Sequence, residues 1–353
     1  MNIAIFIPNI KPICGRSKIG VSLIKGLIEK GNNVFLITNP ESDLSLISYY
    51  KIKSLIIPCN PYRKSFYKFL QCIFLIKKFV KENQIVIINA HHRYSEVISF
   101  FVRLIFRIDI KIVTTVHSFT KDLKLVSYNA DKLIAVSNFI KDHLIGYYSK
   151  KNSNIELIYN GVKKEYDNGE LNYEKGKYIL GFGRLESEKG FDILIQALEY
   201  LCNKITLPKL VLIGEGSEGQ KLHLLTAQNN IRVEFLKSKS TPWAEIKNSM
   251  FVIVPSREES LGLVILEAGI MGKAVIASNV GGIQEIIDDC KSGLIFENGN
   301  YIQLAELMSK LIINPTLADQ LGVELKQKVV QKFSYNRMIE NYNSIFNKLI
   351  VEN

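Results

Sequence analysis

Two carboxylates, Glu259 and Glu267, stand in the stretch FVIVPSREESLGLVILEAGIMGK, residues 251–273. The stretch opens on an apolar run, Phe251 to Val254, and breaks at Pro255. It then passes through the polar Ser256-Arg257-Glu258-Glu259-Ser260. An apolar helix is expected from Leu261 to Met271, ending at Gly272. Two helical residues at this spacing would lie about 80° apart. With Glu259 on the loop instead, both carboxylates converge on one ligand over the helix N-terminus. The unpaired N–H groups and partial positive charge of that end suit a phosphate. A carboxylate beside it accepts hydrogen bonds from sugar hydroxyls. The chemistry expected here is the binding of a sugar joined to phosphate.

Cations of matching use lie in GFGRLESEKG, 181–190. A strand ends in the turn Gly181-Phe182-Gly183, then offers Arg184 and, five residues later, Lys189. The pair suits a diphosphate, although a solvated strand-to-helix loop would read the same way. Lys189 is expected to face solvent. In LIGEGSEGQ, 212–220, Gly214 and Gly216 form a tight turn, for which close packing is the better reading than ligand contact. SNVGGIQEII, 278–287, carries Gly281-Gly282 and Glu285; Glu285 either lines a ligand or is a favourable acid in a helix first turn. Near the start, CGRSKIG (14–20) holds Gly15, which would let the backbone approach a phosphate or sugar. INAHHRY (88–94) and TTVHSF (114–119) put His91, His92 and His117 at strand ends. A lone histidine there is usually a satisfied polar residue, but three of the chain's five are at two such ends. They can donate hydrogen bonds or shuttle protons.

The elements that position these residues alternate. Strands are expected at 2–7, 34–38, 54–57, 85–89, 111–116, 133–136 and 155–159, with helices at 17–30, 63–82 and 94–107. After a polar stretch at 162–176, read as a linker, strands at 177–182, 210–214, 232–236, 251–254, 274–278 and 294–296 alternate with helices at 191–202, 217–229 and 241–249. Repeated β-α with apolar strands means parallel sheets covered on both faces. The fold class is α/β, two Rossmann-like domains whose sheets face a central cleft, with ligands beyond the strand C-terminal ends.

At 353 residues the chain is long enough for two domains. A hydrophobic content of 47% with 22% charged residues describes a globular protein. No run reaches 18 uninterrupted apolar residues, against a membrane span, and MNIAIFIPNI reads as a first strand rather than a signal peptide. Five scattered cysteines with no CxxC pair suggest neither disulfides nor zinc, and a reducing cytoplasm fits. Residues 1–170 carry 25 Lys+Arg against 13 Asp+Glu, whereas 171–353 carry 20 against 21. The excess points to an anionic partner for the first half. In 63–81, apolar Phe66, Phe69, Leu70, Ile73, Ile76 and Val80 recur at helical spacing among Arg63, Lys64, Lys68, Lys77, Lys78 and Lys81. Residues 97–112 add Arg103, Arg107 and Lys111. Such faces suit an anionic membrane surface once part of each has packed on the sheet. No nucleic-acid-binding signature is present.

Taken together, IELIYNGV, GFGRLESEKGFDILIQAL, LVLIGEGSE, VPSREESLGLVILEAGIMGKAVIASNVGGIQEII and SGLIFENG resemble the retaining GT-B glycosyltransferases of family 4, the group 1 family. The likeness covers essentially the whole chain and is densest from 155 to 300. It implies an acceptor-binding domain at 1–165, a nucleotide-sugar domain at 176–334, and a C-terminal helix at about 335–353 packing back on the first. Arg184 and Lys189 would neutralise the donor diphosphate. Glu267 would bind the ribose, and Glu259 with the backbone of Leu261-Gly262-Leu263 would hold the donor sugar and phosphate. His117 would orient a sugar hydroxyl, and Gly183 and Gly15 would lie near the diphosphate. The family usually has two glycines where this chain has Cys14-Gly15, and Lys237 stands where many members carry glycine, so Lys237 receives no role.

The implied reaction moves a sugar from a nucleoside-diphosphate donor, with UDP favoured over GDP, to a glycan or lipid-linked acceptor with retention. The setting implied is lipopolysaccharide, O-antigen or capsule synthesis on the inner face of a bacterial cytoplasmic membrane. No D-x-D occurs, and neither a cofactor nor a metal is expected. A nucleotide-sugar epimerase of related fold and a non-catalytic partner subunit are the competing readings. The paired glutamates with Arg184 and Lys189 speak against both.

Overall fold

The computed structural model describes residues 1–61, 65–121, 124, 126–163, 176–228, 231–239 and 242–351. The chain forms two compact units, Met1–Asn160 with Tyr335–Asn353, and Gly161–Ser334. Of the linker 162–176, residues 164–175 lie outside the described residues, as do Arg63, Lys64 and Thr241.

In the first unit, β1 (Asn2–Phe6), β2 (Asn33–Thr38), β3 (Ser54–Ile56), β4 (Ile87–Ala90), β5 (Lys111–Val116), β6 (Lys132–Ala135) and β7 (Ile155–Leu157) alternate with α1 (Gly15–Glu29), α2 (Phe66–Glu82), α3 (Arg93–Phe106) and α4 (Asn138–Gly146). The strands form one parallel sheet in the order β3-β2-β1-β4-β5-β6-β7. Strands buried on both faces need apolar side chains throughout, and Ile3 to Phe6 of β1 are fully buried. The order reverses between β1 and β4, so the loops after these two strands part and leave a crevice at their C-terminal ends. Gly15 follows β1, and His91 follows β4.

The second unit repeats the plan. It contains β8 (Tyr178–Phe182), α5 (Phe191–Leu201), β9 (Lys209–Ile213), α6 (Gly219–Gln228), β10 (Val233–Leu236), α7 (Trp243–Asn248), β11 (Val252–Val254), α8 (Leu263–Ile270), β12 (Val275–Ser278), α9 (Ile283–Ile286), β13 (Leu294–Phe296), α10 (Tyr301–Ile313) and α11 (Pro315–Lys332). Its parallel sheet runs β10-β9-β8-β11-β12-β13, with the reversal between β8 and β11. Residues 183–190 follow β8 and 255–262 follow β11. On α8, a Cβ at Gly269 would lie 2.7 Å from Val329 and 2.9 Å from Leu325, so the missing side chain lets α11 pack close.

The last helix, α12 (Tyr335–Val351), belongs to the first unit. It buries Met338, Ile339, Tyr342, Phe346 and Leu349. Each such side chain contributes about 1.5–3 kcal/mol. Ile339 rests where a Cβ on Gly26 of α1 would be only 2.4 Å away.

Three sequence expectations change. Between β6 and β7 lies α4, which the sequence reading passed over; it is short, and the Ser137 hydroxyl accepts from Ile140 N–H to start it. Leu44–Tyr50 forms a 3-10 helix opened by the Asp43 side chain. On α2 the apolar set divides: Ile73, Ile76 and Val80 join the core with Cys72, while Phe66, Tyr67, Leu70 and Phe74 stay exposed. The outward face is therefore rotated from the one that simple periodicity selects.

Candidate functional site

In the second unit three loops meet over the ends of β8, β11 and β12. Gly190 has a φ of +65°, and a Cβ there would lie 2.0 Å from the Pro255 carbonyl oxygen. Only glycine lets the two loops approach this closely. That approach brings Lys189 Nζ to 2.5 Å from Glu259 Oε2, with 19% and 16% of the two side chains exposed. Lys189 is thus paired and mostly buried, not solvent-facing. Arg257 donates to both oxygens of Asp192, at 2.8 and 2.7 Å, and to the Ser187 carbonyl at 2.8 Å. Burial would raise the Asp192 carboxyl, but Arg257's bonds and charge hold it below its usual range. The Arg257 N–H donates to the Glu188 carbonyl at 2.8 Å, and Gly282 N–H to the Glu259 carbonyl at 3.2 Å. Arg184 lies above these contacts, half-exposed and 2.6 Å from Glu188.

The helix expected from Leu261 begins at Leu263. Gly262 occupies the N-cap position with φ +109° and offers no side-chain cap, so the first-turn N–H groups of α8 have no cap from that residue. Glu267 is buried on the same helix. The Gly214 and Gly216 turn is close-packed: a Cβ would come within 1.9 Å of the Gly183 oxygen and 2.3 Å of the Leu185 oxygen. It shapes the Arg184 loop from below. Glu285 sits in the first turn of α9.

The first unit assembles a different set. Asn89 Nδ2 donates to the Val113 carbonyl and to Thr115 Oγ1, both at 3.2 Å. Its Oδ1 therefore faces His91 Nε2, at 2.8 Å, and can only accept. His91 carries its proton on Nε2, and its Nδ1 accepts from His117 Nε2 at 2.9 Å. Burial, with the Arg16 charge, pushes His91 down to about 3. Burial, then His91 and Arg16, holds His117 well below the usual imidazole range. Both rings are neutral at physiological pH, so His117 keeps an unprotonated Nδ1 that can accept from a hydroxyl. Thr115 Oγ1 lies 3.0 Å from the Tyr342 hydroxyl on α12, which anchors the chain of bonds in the core.

His92 takes a structural post: its Nδ1 accepts from Tyr94 N–H and caps α3. Gly15 is not in a free loop but is the first residue of α1, with a Cys14 N-cap. Burial raises the Cys14 thiol, but Arg16 and the Ser17 and Arg16 amides bring it below its usual value. The sequence reading missed Asn89, Arg93 and Arg16, although INAHHRY and CGRSKIG contain them. Among the described residues no three His, Cys, Asp or Glu side chains gather as metal ligands. The structure thus groups Gly183, Arg184, Lys189, Glu259, Leu261, Gly262, Leu263 and Glu267 in the second unit, and Gly15, His91 and His117 in the first.

Two family models match consecutive stretches: "Glycosyl transferases group 1" over residues 162–328, and "Glycosyltransferase Family 4" over 20–166. An uncharacterized glycosyltransferase of Methanocaldococcus jannaschii is 35% identical over 231 residues, covering 64% of this chain and 62% of that protein. A capsular polysaccharide biosynthesis glycosyltransferase of Staphylococcus aureus is 28% identical over 246 residues, covering 65% and 64%. In both cases the match spans less than two-thirds of the relative. A glycosyltransferase structure from Rickettsia africae superposes with a TM-score of 0.83 at 22% identity, covering 99% of this chain and 98% of the other. Two Rossmann-like units with such neighbours are the GT-B fold.

Proposed function

Because the chain belongs to the group 1 glycosyltransferases, we propose that it moves a sugar from a nucleoside-diphosphate donor to a hydroxyl of a glycan or lipid-linked acceptor. The reading includes retention of anomeric configuration and a role in building surface polysaccharide such as capsule, O-antigen or lipopolysaccharide. The observation that carries it is the Lys189–Glu259 pair, set beside Arg184 and the α8 N-terminus. A donor diphosphate takes Lys189 and Arg184 as counterions, and these stabilise the charge left on the departing group. Glu259, released from Lys189, accepts from donor-sugar hydroxyls, and the backbone of Leu261, Gly262 and Leu263 meets phosphate. Glu267 binds the ribose. His117 Nδ1 accepts from a sugar hydroxyl. The acceptor attacks the face from which the nucleoside diphosphate leaves, and a donor phosphate oxygen takes its proton.

In this reading Arg184, Lys189 and a helix end supply the positive charge, so neither cofactor nor divalent metal takes part. An enzyme silenced by EDTA and rescued by magnesium would overturn that. UDP is the preferred carrier. Warming the protein with UDP- and GDP-sugars tests the core of the proposal, since a ligand stabilises the fold that binds it. UDP should raise Tm in the wild type and not in Lys189→Ala. No shift with any nucleotide sugar would sink the donor site.

A peripheral seat on the inner, cytoplasmic face of the membrane completes the proposal. No described helix is long and apolar enough to cross a bilayer. Phe66, Tyr67 and Phe74 on α2 are 77%, 76% and 58% exposed, and Leu104 and Ile105 on α3 are 59% and 52% exposed. Lys68, Lys78, Lys81 and Arg107 are exposed on the same two segments. Apolar area bordered by cations favours anionic headgroups.

A further inference from the structure

Arg16 is unlike the cations of the second unit. Its Nε is buried without a hydrogen-bond partner, and it makes no ion pair with a described carboxylate. It lines a pocket of about 50 Å³ together with Arg93, His91, His117, Ser118 and Thr120. That is room for a few waters, or for one phosphate or carboxylate group. Among the described residues, no Asp or Glu lines the pocket. Arg93 Nη1 donates to the Tyr148 hydroxyl at 3.4 Å. Two helices also begin here, α1 at Gly15 and α3 at Arg93, and present their positive ends.

A guanidinium N–H buried without a hydrogen-bond acceptor is costly, and an anion that accepts from it relieves that cost. The histidines do not compete for this role. Both are neutral, with their N–H groups already engaged in the chain His117–His91–Asn89. What they leave is a lone pair on His117 Nδ1, which suits a hydroxyl and not an anion.

We propose that this pocket binds an oxyanion of the acceptor, a phosphate or carboxylate close to a hydroxyl. Resting on the reading that the first unit receives the acceptor, this narrows the acceptor to an anionic hydroxyl compound. The donor's diphosphate is the other possible source of oxyanion, and the test separates the two.

The full chain, carrying ¹³C,¹⁵N-labelled histidine, is saturated with UDP and titrated with inorganic phosphate. With five histidines, each ring can be assigned by substitution. The His91 and His117 signals should move saturably while that of His223, in the second unit, stays put. Arg16→Leu and Arg93→Leu should each weaken the response at least ten-fold, Arg16→Lys should restore part of it, and Lys189→Ala should leave it alone. Three outcomes would overturn the proposal: no saturable shift, a shift abolished by saturating UDP, or one unchanged in both leucine variants. UDP binding is read separately from Tm. A protein that ignores UDP but answers phosphate refutes the donor site and keeps the pocket.

Discussion

In the second unit Lys189, Arg184 and Arg257 each meet a carboxylate before any ligand arrives. In the first, Arg16 has none among the described residues, and the histidines beside it are held neutral. Both groups stand at the point where their sheet reverses strand order. The difference lies in what holds them. A paired cation can be handed to an incoming diphosphate without leaving a bare charge, because the released carboxylate finds sugar hydroxyls. An unpaired cation has nothing to hand over and selects for an anion outright. On the proposed function, the first arrangement suits a donor that binds and leaves at every turnover, and the second suits discrimination among acceptors.

The largest effect should come from breaking the paired side. Lys189→Ala removes a group that meets charge as it develops and should lower kcat about 10²–10³-fold. It also strands Glu259, so Tm should fall. Adding Glu259→Ala should recover the lost stability without recovering activity, read from denaturant unfolding beside steady-state rates. Near-normal turnover in Lys189→Ala would end the diphosphate role. Stability lost equally in the single and double variants would show that the pair does not hold the loops.

A second break separates backbone lacing from side-chain networks. A Cβ at Gly281, where φ is +52°, would lie 1.7 Å from the Glu259 carbonyl oxygen. Gly281→Ala should cost about 2–4 kcal/mol of stability and displace Glu259. Gly299, at φ +83° with open space around it, is the control. Alanine there meets only the backbone term, about 1 kcal/mol. Equal losses at both positions would mean that the close approach at Gly281 is not what builds the site.

The pairing that this comparison turns on was only half legible. Strands such as 251–254 and 210–213 announce themselves because a strand covered on both faces must be apolar along its length. Glu259 with Glu267, and Arg184 with Lys189, are close enough in sequence to be read as groups. The contact between Lys189 and Glu259 is not, since 70 positions separate them and the close approach at Gly190 sets it. His91 and His117 drew notice as strand-end histidines, but their neutrality follows from Asn89, whose orientation depends on Val113 and Thr115 across the sheet. Arg16 carries no sequence signal at all; one arginine among 25 basic residues becomes unusual only when its neighbours are known.

The neutrality itself gives a pH test. His91 falls from an unfolded value of about 6.5 to about 3 in the fold. Because the native state binds the proton less well, stability present above pH 6.5 is lost as pH falls toward 3. Between pH 7 and 5 the loss from this group is about 2 kcal/mol. Glu96, raised by burial to about 7, acts oppositely, losing stability as pH rises from about 4.5 to 7. Glu96 is retained in His91→Gln, so comparing the slopes of wild type and variant cancels its contribution and reads His91 together with the His117 ring bonded to it. Parallel stability–pH curves from denaturant melts would mean that His91 is not kept neutral.

The smallest effect on the fold should come from the exposed face of α2, which belongs to neither site. Phe66 and Phe74 cover no core, so changing both to serine should shift stability by less than about 0.5 kcal/mol. Transfer of a soluble acceptor should be unchanged. Vesicles containing phosphatidylglycerol should bind at least ten-fold more weakly, since two aromatic side chains no longer enter the headgroup region. Lys68→Glu with Lys81→Glu should remove the preference for anionic over zwitterionic vesicles, at about 1 kcal/mol per lost charge. This pair of changes also bears on the first unit's two uses of positive charge. If the lysine changes alter vesicle binding but leave the phosphate response of the Arg16 pocket intact, the surface lysines and Arg16 serve separate anions. If both responses fall together, the basic half acts as a single field and the pocket loses its claim to selectivity.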